Sequence, residues 1–344
     1  MKLWALAAGL ALAACTRAPE APRAAGGIVS LNPCSDAVLA EVADARQIAA
    51  LSHFSRDPAS SSMDLAVARH LPSTTGSVEE LFSLRPALVI ADNYLSPATA
   101  SALARLDIPV VQLPIAGNVE ESRSQVRTIA RLAGQGARGE AMVARIDAAL
   151  AAATPAKGQR PISAVVWQSG GIVPGENSLI ADLLRRTGFR SLSGAKGMRQ
   201  ADYLPLEVML ADPPHVILAA GSPRTEEDRL LSHPALRALT TTRRERLEPS
   251  LLWCGGPTIV RAAKRLAEVR HSVARRPGLD PGPMAAAREL AAFRPAVPGQ
   301  ARDDDRYDDR SPSPADLRAR PPDCRAAAHA GAAGPARCAA LYSR

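Results

Sequence analysis

Residues 79–90 read EELFSLRPALVI, and residues 207–218 read EVMLADPPHVIL. In each stretch a Glu (Glu79 or Glu207) is followed seven positions later by a Pro and then by an apolar run. Both stretches fit a short amphipathic helix that is stopped by the Pro and followed by a buried strand. Two copies of one motif predict two similar α/β lobes, and proteins of this shape commonly bind a ligand in the cleft between the lobes.

Apolar runs that read as strands alternate with helical stretches on both sides of the two motifs. These runs are residues 26–33, 47–58, 87–93, 110–115, 162–170, 215–221 and 246–257. Such alternation predicts an α/β fold with parallel sheets and right-handed crossovers. Residues 119–153 show only helical spacing, so we expect one long helix to join the lobes rigidly.

The N-terminus predicts export. Lys2 precedes an apolar run from Leu3 to Ala14, which has the length of a signal peptide and is short for a membrane span. The run ends in Leu-Ala-Ala-Cys, which resembles a bacterial lipobox and implies lipid attachment at Cys15; the alternative is an ordinary signal peptide. The Pro- and Ala-rich stretch that follows, residues 16–26, reads as a tether.

The C-terminal segment, residues 277–344, is dominated by Pro, Ala, Arg, Gly and Asp and nearly lacks branched aliphatic residues. Such a composition buries too little apolar surface to offset the entropy of ordering, so we expect disorder. A second hypothesis is that a frameshift in a GC-rich gene produced this segment, and the neighbouring DNA would decide between the two.

The composition of the chain narrows its function classes. The net charge is +8, but no nucleic-acid recognition motif accompanies it, so scattered solvated Arg residues are the preferred interpretation. Of five Cys, Cys34 and Cys254 belong to the predicted folded part, and their spacing excludes a zinc finger or a redox CxxC. They could be separate buried thiols, a disulfide that pins the lobes, or a thiolate ligand to a metal chelate.

In the order of its motifs the chain resembles solute-binding proteins of ATP-binding-cassette importers that capture cobalamin, haem or iron–siderophore chelates. The stretches that carry the resemblance are IVSLNPCSDAVLAEV (28–42), ALSHFSRDP (50–58), VEELFSLRPALVIA (78–91), GENSLIADLLRRTGF (175–189), LEVMLADPPHVIL (206–218) and the closing CGGP helix. The resemblance implies a class III periplasmic binding protein with two Rossmann-like lobes joined by one rigid helix.

The resulting domain prediction divides the chain into six parts. They are a signal peptide (1–14), a tether (15–26), an N-terminal α/β lobe (27–117), a linking helix (118–155), a C-terminal α/β lobe (156–276) and a disordered tail (277–344).

The resemblance also implies that one Glu of each lobe docks into Arg pockets on the permease. Glu79 and Glu207 occupy these positions. Carboxylates on separate lobes could each accept charge-assisted hydrogen bonds from Arg and orient the protein over the pore. The alternative is that each Glu only favours a helix N-terminus. We expect a monomer.

Ligands of open α/β folds bind beyond the carboxyl ends of the strands, and that rule selects the candidate ligand-binding residues. Aromatic side chains are 3% of the chain, yet several fall at predicted strand ends, whereas Phe82 and Phe189 fall mid-element and are expected in the core. Flat aromatic walls suit a large, partly apolar chelate. The candidates are Asn32, Cys34, Ser35, His53, Phe54, Arg56, Asn93, Tyr94, Trp167, Gln168, Tyr203, Trp253 and Cys254.

The expected ligand is a corrinoid such as cobalamin, followed by an iron–siderophore or haem. Arg56 is the one strongly placed cation of the first-lobe loops, whereas trianionic siderophores would call for several Arg, and the loop SHFSRDP resembles that of corrinoid-binding family members. His53 could coordinate a metal centre axially but is more simply a hydrogen-bonding wall residue. We expect no catalytic residues, no resident metal and no cofactor.

Three rival functions compete with capture and transport. A carrier of bare divalent metal needs converging ligands, whereas His53, His70, His215 and His233 are dispersed. A chelatase or other metallo-enzyme would be expected to show a nucleophile elbow, a phosphate loop or paired carboxylates. A chelate sensor that meets no permease is the third rival.

Overall fold

The computed structural model describes residues 26–221 and 233–274, which belong to one compact unit. The predicted signal peptide, lipidated Cys15, almost all of the tether and the tail at 277–344 lie outside the described residues. We call residues 26–117 the first lobe, and residues 156–221 with 233–274 the second lobe.

The first lobe is built on a five-stranded parallel sheet of order β3-β2-β1-β4-β5. Its strands are β1 (Ile28–Ser30), β2 (Ile48–Ser52), β3 (Ser73–Thr74), β4 (Leu88–Asp92) and β5 (Val110–Leu113). Its helices are α1 (Pro33–Val42), α2 (Leu65–His70), α3 (Val78–Leu84) and α4 (Pro97–Arg105). Asn32, Asp64, Ser77 and Ser96 cap these helices by accepting backbone N–H groups, as small polar residues do.

The second lobe repeats this plan with a four-stranded parallel sheet of order β11-β10-β6-β8 and a two-stranded antiparallel sheet of β7 and β9. Its strands are β6 (Ile162–Trp167), β7 (Ile172–Val173), β8 (Phe189–Ser191), β9 (Asp202–Tyr203), β10 (Val216–Ala219) and β11 (Arg243–Arg246). Its helices are α7 (Leu179–Arg186), α8 (Leu192–Ala195), α9 (Leu206–Ala211), α10 (Pro234–Arg237) and α11 (Pro257–Ala274). The prediction of two α/β lobes with parallel sheets is confirmed.

The connection between the lobes differs from the prediction of one long helix. Two helices, α5 (Val119–Leu132) and α6 (Gly136–Ala153), run antiparallel, since Arg127 pairs with Glu140 and Arg123 with Asp147. Gly134 has a φ of 67°, and the N–H of Gln135 donates to the carbonyl of Ala130 in a Schellman turn. The prediction was wrong because helical spacing on both sides of such a turn hides the reversal.

A close helix contact stabilises this reversal. A Cβ at Gly139 would lie 2.5 Å from the Cβ of Ala130, so only glycine permits this approach of α6 to α5. The sequence signal was the pair of glycines in Ala-Gly-Gln-Gly at 133–136, which is typical of a helix end and not of a continuous helix.

One apolar core runs through both lobes. It joins Leu39 and Ile90 of the first lobe to Ile146 of α6 and to Leu183 and Leu266 of the second lobe, all of them buried. Smaller cores cover the outer face of each sheet, around Leu81 in the first lobe and around Trp167 in the second. The continuous core indicates a rigid connection between the lobes.

The last predicted strand was misplaced. We expected a strand at 246–257, but β11 ends at Arg246, and residues Pro249–Leu251 form a 3-10 turn before α11. β11 reads Arg-Arg-Glu-Arg and lies at the edge of its sheet, where charged residues are common because they discourage pairing with other chains. Because its residues are charged, β11 contains no apolar run, and the sequence pattern does not predict it.

Candidate functional site

The carboxyl ends of β1 and β4 are joined by a polar pair. Asn32 accepts the N–H groups of Cys34 and Ser35 with its side-chain oxygen and donates from Nδ2 to Oδ2 of Asp92 over 2.7 Å. Oδ1 of Asp92 accepts the N–H of Tyr94 over 2.9 Å. This network fixes the loop after β4, where Asn93 and Tyr94 are exposed, Tyr94 by 74%.

A narrow pocket of about 30 Å³ lies at this edge, between the lobes. Its walls come from Asn32, Ser35 and Asp92, from the segment 113–116, from Gln125 of α5, and from Trp253 and Gly255 of the second lobe. A volume of this size holds roughly two water molecules. The pocket is therefore the floor of the cleft, and a macrocycle would have to lie above it.

A disulfide between Cys34 and Cys254 lies at the floor of the cleft. The two residues are 220 positions apart in sequence, and their Cα atoms are 4.8 Å apart. Cys34 lies in the first turn of α1 and Cys254 shortly before α11, so the bond joins one lobe to the other. Of the three alternatives left open by the sequence, the structure has the bridge, and a bridged sulfur is not a thiolate ligand.

The wall of the first lobe follows β2. Residues His53–Arg56 form a 3-10 turn, in which the rings of His53 and Phe54 contact each other at an interplanar angle of 35°, with centroids 4.0 Å apart. Phe54 is 47% exposed. Arg56, predicted to face the ligand, donates from Nε to the carbonyl of Ala68 and from Nη2 to that of Leu71. Two of its donors therefore hold the lobe's own loop.

Trp167 is a correction to the predicted site. It is 0% exposed and packs with Val165, Leu204 and Ile217 in the outer core of the second lobe. Its Nε1 has no hydrogen-bond partner among the described residues. As the last residue of β6, Trp167 points to the outer face because side chains alternate along a strand, and the expectation from its strand-end position ignored that alternation.

Two other aromatic candidates of the second lobe are exposed. Trp253 is 53% exposed and lines the pocket beside Gly255. Tyr203 of β9 is exposed and lies close to Gly171, where an added Cβ would be 2.8 Å from the Tyr203 ring. The neighbouring candidate Gln168 is buried and is not part of the pocket lining.

The histidines of the described ranges do not converge. His70 contacts the carbonyl of Ala66, His215 contacts Ser163, and His233 caps α10. Within residues 26–221 and 233–274, no group of three or more His, Cys, Asp or Glu could hold a metal ion. None of the helices described is long and apolar enough to cross a membrane.

Comparison with known proteins places the chain in a family. The family model of periplasmic binding proteins matches residues 28–247. The chain belongs to the periplasmic binding protein family. Members of this family are solute-binding proteins of transport systems and not enzymes, and they work outside the cytoplasm.

Individual relatives are distant. The chain is 26% identical to a cobalamin-binding protein of Halobacterium salinarum. The aligned region covers 57% of this chain, and the chain spans about half, 54%, of the length of that relative. Among solved structures, the periplasmic heme-binding protein RhuT of Roseiflexus sp. RS-1 is 22% identical with a TM-score of 0.61, covering 72% of this chain and 99% of that one.

The vitamin B12 binding protein BtuF of Vibrio cholerae is 14% identical with a TM-score of 0.57 over 73% of this chain and 98% of that one. At these identities the structural matches show the shared fold, that of class III periplasmic binding proteins.

The two Glu residues of the repeated motif lie exposed on separate lobes of this periplasmic binding protein. Glu79 is in the first turn of α3 and Glu207 in the first turn of α9. Neither carboxylate has a hydrogen bond or ion pair within the described part of the chain. By contrast, the neighbouring Glu80 accepts the hydroxyl of Thr74 and the N–H of Thr75. Of the two neighbouring carboxylates, that of Glu80 is bound within its own lobe, and that of Glu79 has no partner among the described residues.

Phe82 is a second correction. The sequence predicted a core position, but Phe82 is 54% exposed, one turn along α3 from Glu79. Leu81 is the residue of this helix that enters the core. Helical spacing allowed either residue to face the sheet, and Phe189 of β8 is buried as expected.

Asp36 is a buried residue of this edge that the site prediction missed. Its side chain, in the first turn of α1, is fully buried, and burial raises the pKa of its carboxyl to about 8 although Ser30, Ser52 and Ser55 hydrogen-bond to it. Asp36 does not cap α1, because Asn32 is the cap. No sequence signal distinguishes a buried Asp at this position from a cap.

Proposed function

We propose that this protein captures a metal chelate with a large flat ring system, a corrinoid in the first place, in the cleft between its lobes. The observation that carries the proposal is the set of exposed aromatic side chains that both lobes contribute, of which Trp253 lines the pocket: Phe54, Tyr94, Tyr203 and Trp253. Exposed aromatic rings lose apolar hydration when a flat apolar ligand covers them, and each pairs well with another ring system.

Charge supports a corrinoid over a trianionic siderophore. Among the described residues, those that line the pocket include no Lys, Arg or His, and Arg56 donates two hydrogen bonds to backbone carbonyls of its own lobe. The pocket floor instead carries the carboxylate of Asp92 and the amide of Asn32. A trianion placed there would lack compensating charge. The curated relative named a cobalamin-binding protein agrees with this preference.

Haem is the second candidate, on the ground of a separate observation. Tyr94 and His53 are both exposed at the carboxyl edge of the first sheet. Tyr and His side chains are known axial ligands of haem iron. This candidate predicts that haemin binding perturbs the iron spectrum and that removal of one of these side chains changes it.

The ends of the chain and the two free Glu residues define the proposed route. Cleavage before Cys15 and its lipidation would tether the protein to the membrane through residues 16–26. Glu79 and Glu207 would then accept hydrogen bonds from Arg residues of an ABC-importer permease. Their exposure on separate lobes, and their freedom from partners in the described residues, support this role.

A calorimetric titration of the protein with cyanocobalamin, haemin and a ferric siderophore tests the ligand. We expect one-to-one binding of cyanocobalamin at micromolar concentration or tighter. Exclusive binding of haemin or of the ferric siderophore would overturn the corrinoid assignment. Failure to bind any of the three would overturn capture of a chelate and revive the sensor and chelatase alternatives, which a turnover assay with metal and tetrapyrrole separates.

Transport into vesicles that contain the cognate permease tests the docking residues. The double variant Glu79→Ala/Glu207→Ala should keep ligand affinity and lose transport. Glu80→Ala is the matched control, because its carboxylate binds Thr74 and Thr75 of its own lobe. Transport by the double variant at the rate of the parent protein would contradict the docking proposal.

A further inference from the structure

Asp36 bonds to both ends of the turn that carries the first-lobe wall. Its Oδ2 accepts the N–H of Ser52 over 3.0 Å and the hydroxyl of Ser55 over 2.6 Å. His53 and Phe54 lie between these two anchors. One carboxyl oxygen therefore holds the chain on both sides of His53 and Phe54.

The anchoring is built into the local hydrogen-bond pattern. The hydroxyl of Ser52 accepts the N–H of Phe54 over 3.2 Å, so the backbone of the turn is held from its start as well as from Ser55. Asp36 itself is buried in the first turn of α1, and α1 packs against β2 and the shared core. The position of the turn is therefore set by buried contacts to the core and not by solvent-exposed contacts.

The surroundings of Asp36 present neutral groups. Ser30 of β1, Ser52 of β2 and Ser55 of the turn contact it, and no charged side chain of the described ranges contributes to its pKa. The ionisable groups along the packed segments are engaged or face solvent: His53 and Arg56 are exposed, Glu41 pairs with Arg145, and Asp92 accepts from Asn32. Its Oδ1 has no partner among the described residues.

We propose that Asp36 is a positioning residue for ligand binding, which holds the Ser52–Arg56 turn so that Phe54 forms one wall of the cleft. The proposal rests on the proposed function, since the wall matters only if a ligand covers it. Ionised Asp36 would be a buried charge without a cation, and such a charge draws in water or opens the structure around it. The placement of Phe54 therefore depends on the protonation of Asp36, with a pKa of about 8.

The test compares the wild-type chain with Asp36→Asn at pH 6 and pH 9. The amide variant keeps an acceptor oxygen for Ser52 and Ser55 but cannot ionise. We expect the wild-type affinity for cyanocobalamin to fall on the order of tenfold from pH 6 to pH 9, as a coupling of about one pKa unit gives, and the affinity of the variant to stay constant. Equal pH dependence in both proteins overturns the proposal.

Asp182→Asn is the matched control. Asp182 is also a buried carboxylate in a first helical turn, and it accepts the N–H of Val119 over 3.0 Å, but it pairs with Arg185 and Arg186 and its pKa is lowered. This change should leave the pH dependence of ligand affinity as in the wild type. Loss of that dependence in the control would contradict a specific role of Asp36.

A readout without ligand separates this proposal from the proposed function. Amide hydrogen exchange at Ser52 and Phe54, corrected for intrinsic rates, should show less protection at pH 9 than at pH 6 in the wild type and no such change in Asp36→Asn. If cyanocobalamin binds neither protein, the proposed ligand fails while exchange still decides the anchoring. Should Asp36→Asn not fold, Ser55→Ala must lower both protection and affinity, and an unchanged Ser55→Ala overturns the proposal.

Discussion

The two lobes share one plan but use the carboxyl edge of their sheets differently. After β2 and β4 the first lobe exposes Phe54 and Tyr94, whereas β6 of the second lobe ends in Trp167, which is buried. The first-lobe carboxylate in the opening helix, Asp36, has no cation beside it, whereas its second-lobe counterpart Asp182 pairs with two Arg. The first lobe thus presents two exposed aromatic rings after its strands, whereas the second lobe exposes Tyr203 and Trp253 and keeps Trp167 in its core.

The bond between the lobes gives the largest expected effect. Replacing Cys34 and Cys254 together by Ser should lower the free energy of unfolding by about 5 kcal/mol, because the bridge closes a long loop in the unfolded chain. Chemical denaturation of the oxidised protein, the reduced protein and the double variant measures it. Equal stability of all three would show that the shared core alone holds the lobes together.

The contrast between aromatic residues of the two edges comes next. Trp167→Ala should cost about 3–5 kcal/mol of unfolding free energy, as truncation of a fully buried aromatic does. Tyr94→Ala, at an exposed position, should change stability by about 0.5 kcal/mol or less. Urea unfolding of both variants measures the two losses, and similar losses would contradict the assignment of Trp167 to the core and of Tyr94 to the exposed edge.

The contrast between the buried carboxylates predicts opposite dependences on pH. Because the pKa of Asp36 is raised in the folded state, the folded protein holds more protons between pH 4 and 8, and this contribution to stability is lost as the pH rises to about 8. Because the pKa of Asp182 is lowered, its contribution is present above the ordinary pKa of an Asp and is lost in acid.

Thermal unfolding across pH 3 to 9 checks both predicted dependences of stability on pH. Asp36→Asn should remove the decline between pH 5 and 8, and Asp182→Asn should cost roughly 1–3 kcal/mol near neutral pH and less in acid, since it breaks a partly exposed charge pair. Parallel stability curves for wild type and Asp36→Asn would contradict the burial-driven shift.

Much of the fold was predictable because it depends on periodicity and on the two motif copies. Alternating apolar runs located most strands, and the paired Glu–Pro spacing located α3 and α9. The helix reversal at Gly134 was missed because apolar spacing continues on both sides of it. β11 was missed because an edge strand of Arg and Glu carries no apolar signal.

The site was predictable as a set of loops but not side chain by side chain. The strand-end rule selected Asn32 and Trp253, which line the pocket, and Tyr94, which is exposed; their role in ligand binding stays a prediction. It could not tell which face the last residue of β6 occupies, and so it included Trp167. Gln125 lines the pocket from the interior of α5, a position that the strand-end rule does not select, so only the three-dimensional fold could reveal it.

Tryptophan fluorescence during titration with cyanocobalamin tests the central claim most directly. Trp253 is exposed at the cleft and Trp167 is buried in the outer core, and the third tryptophan, Trp4, lies in the predicted signal peptide. We predict strong saturable quenching in the mature protein, most of which is lost in Trp253→Phe and kept in Trp167→Phe. Quenching that survives in Trp253→Phe and disappears in Trp167→Phe would contradict a ligand site in this cleft.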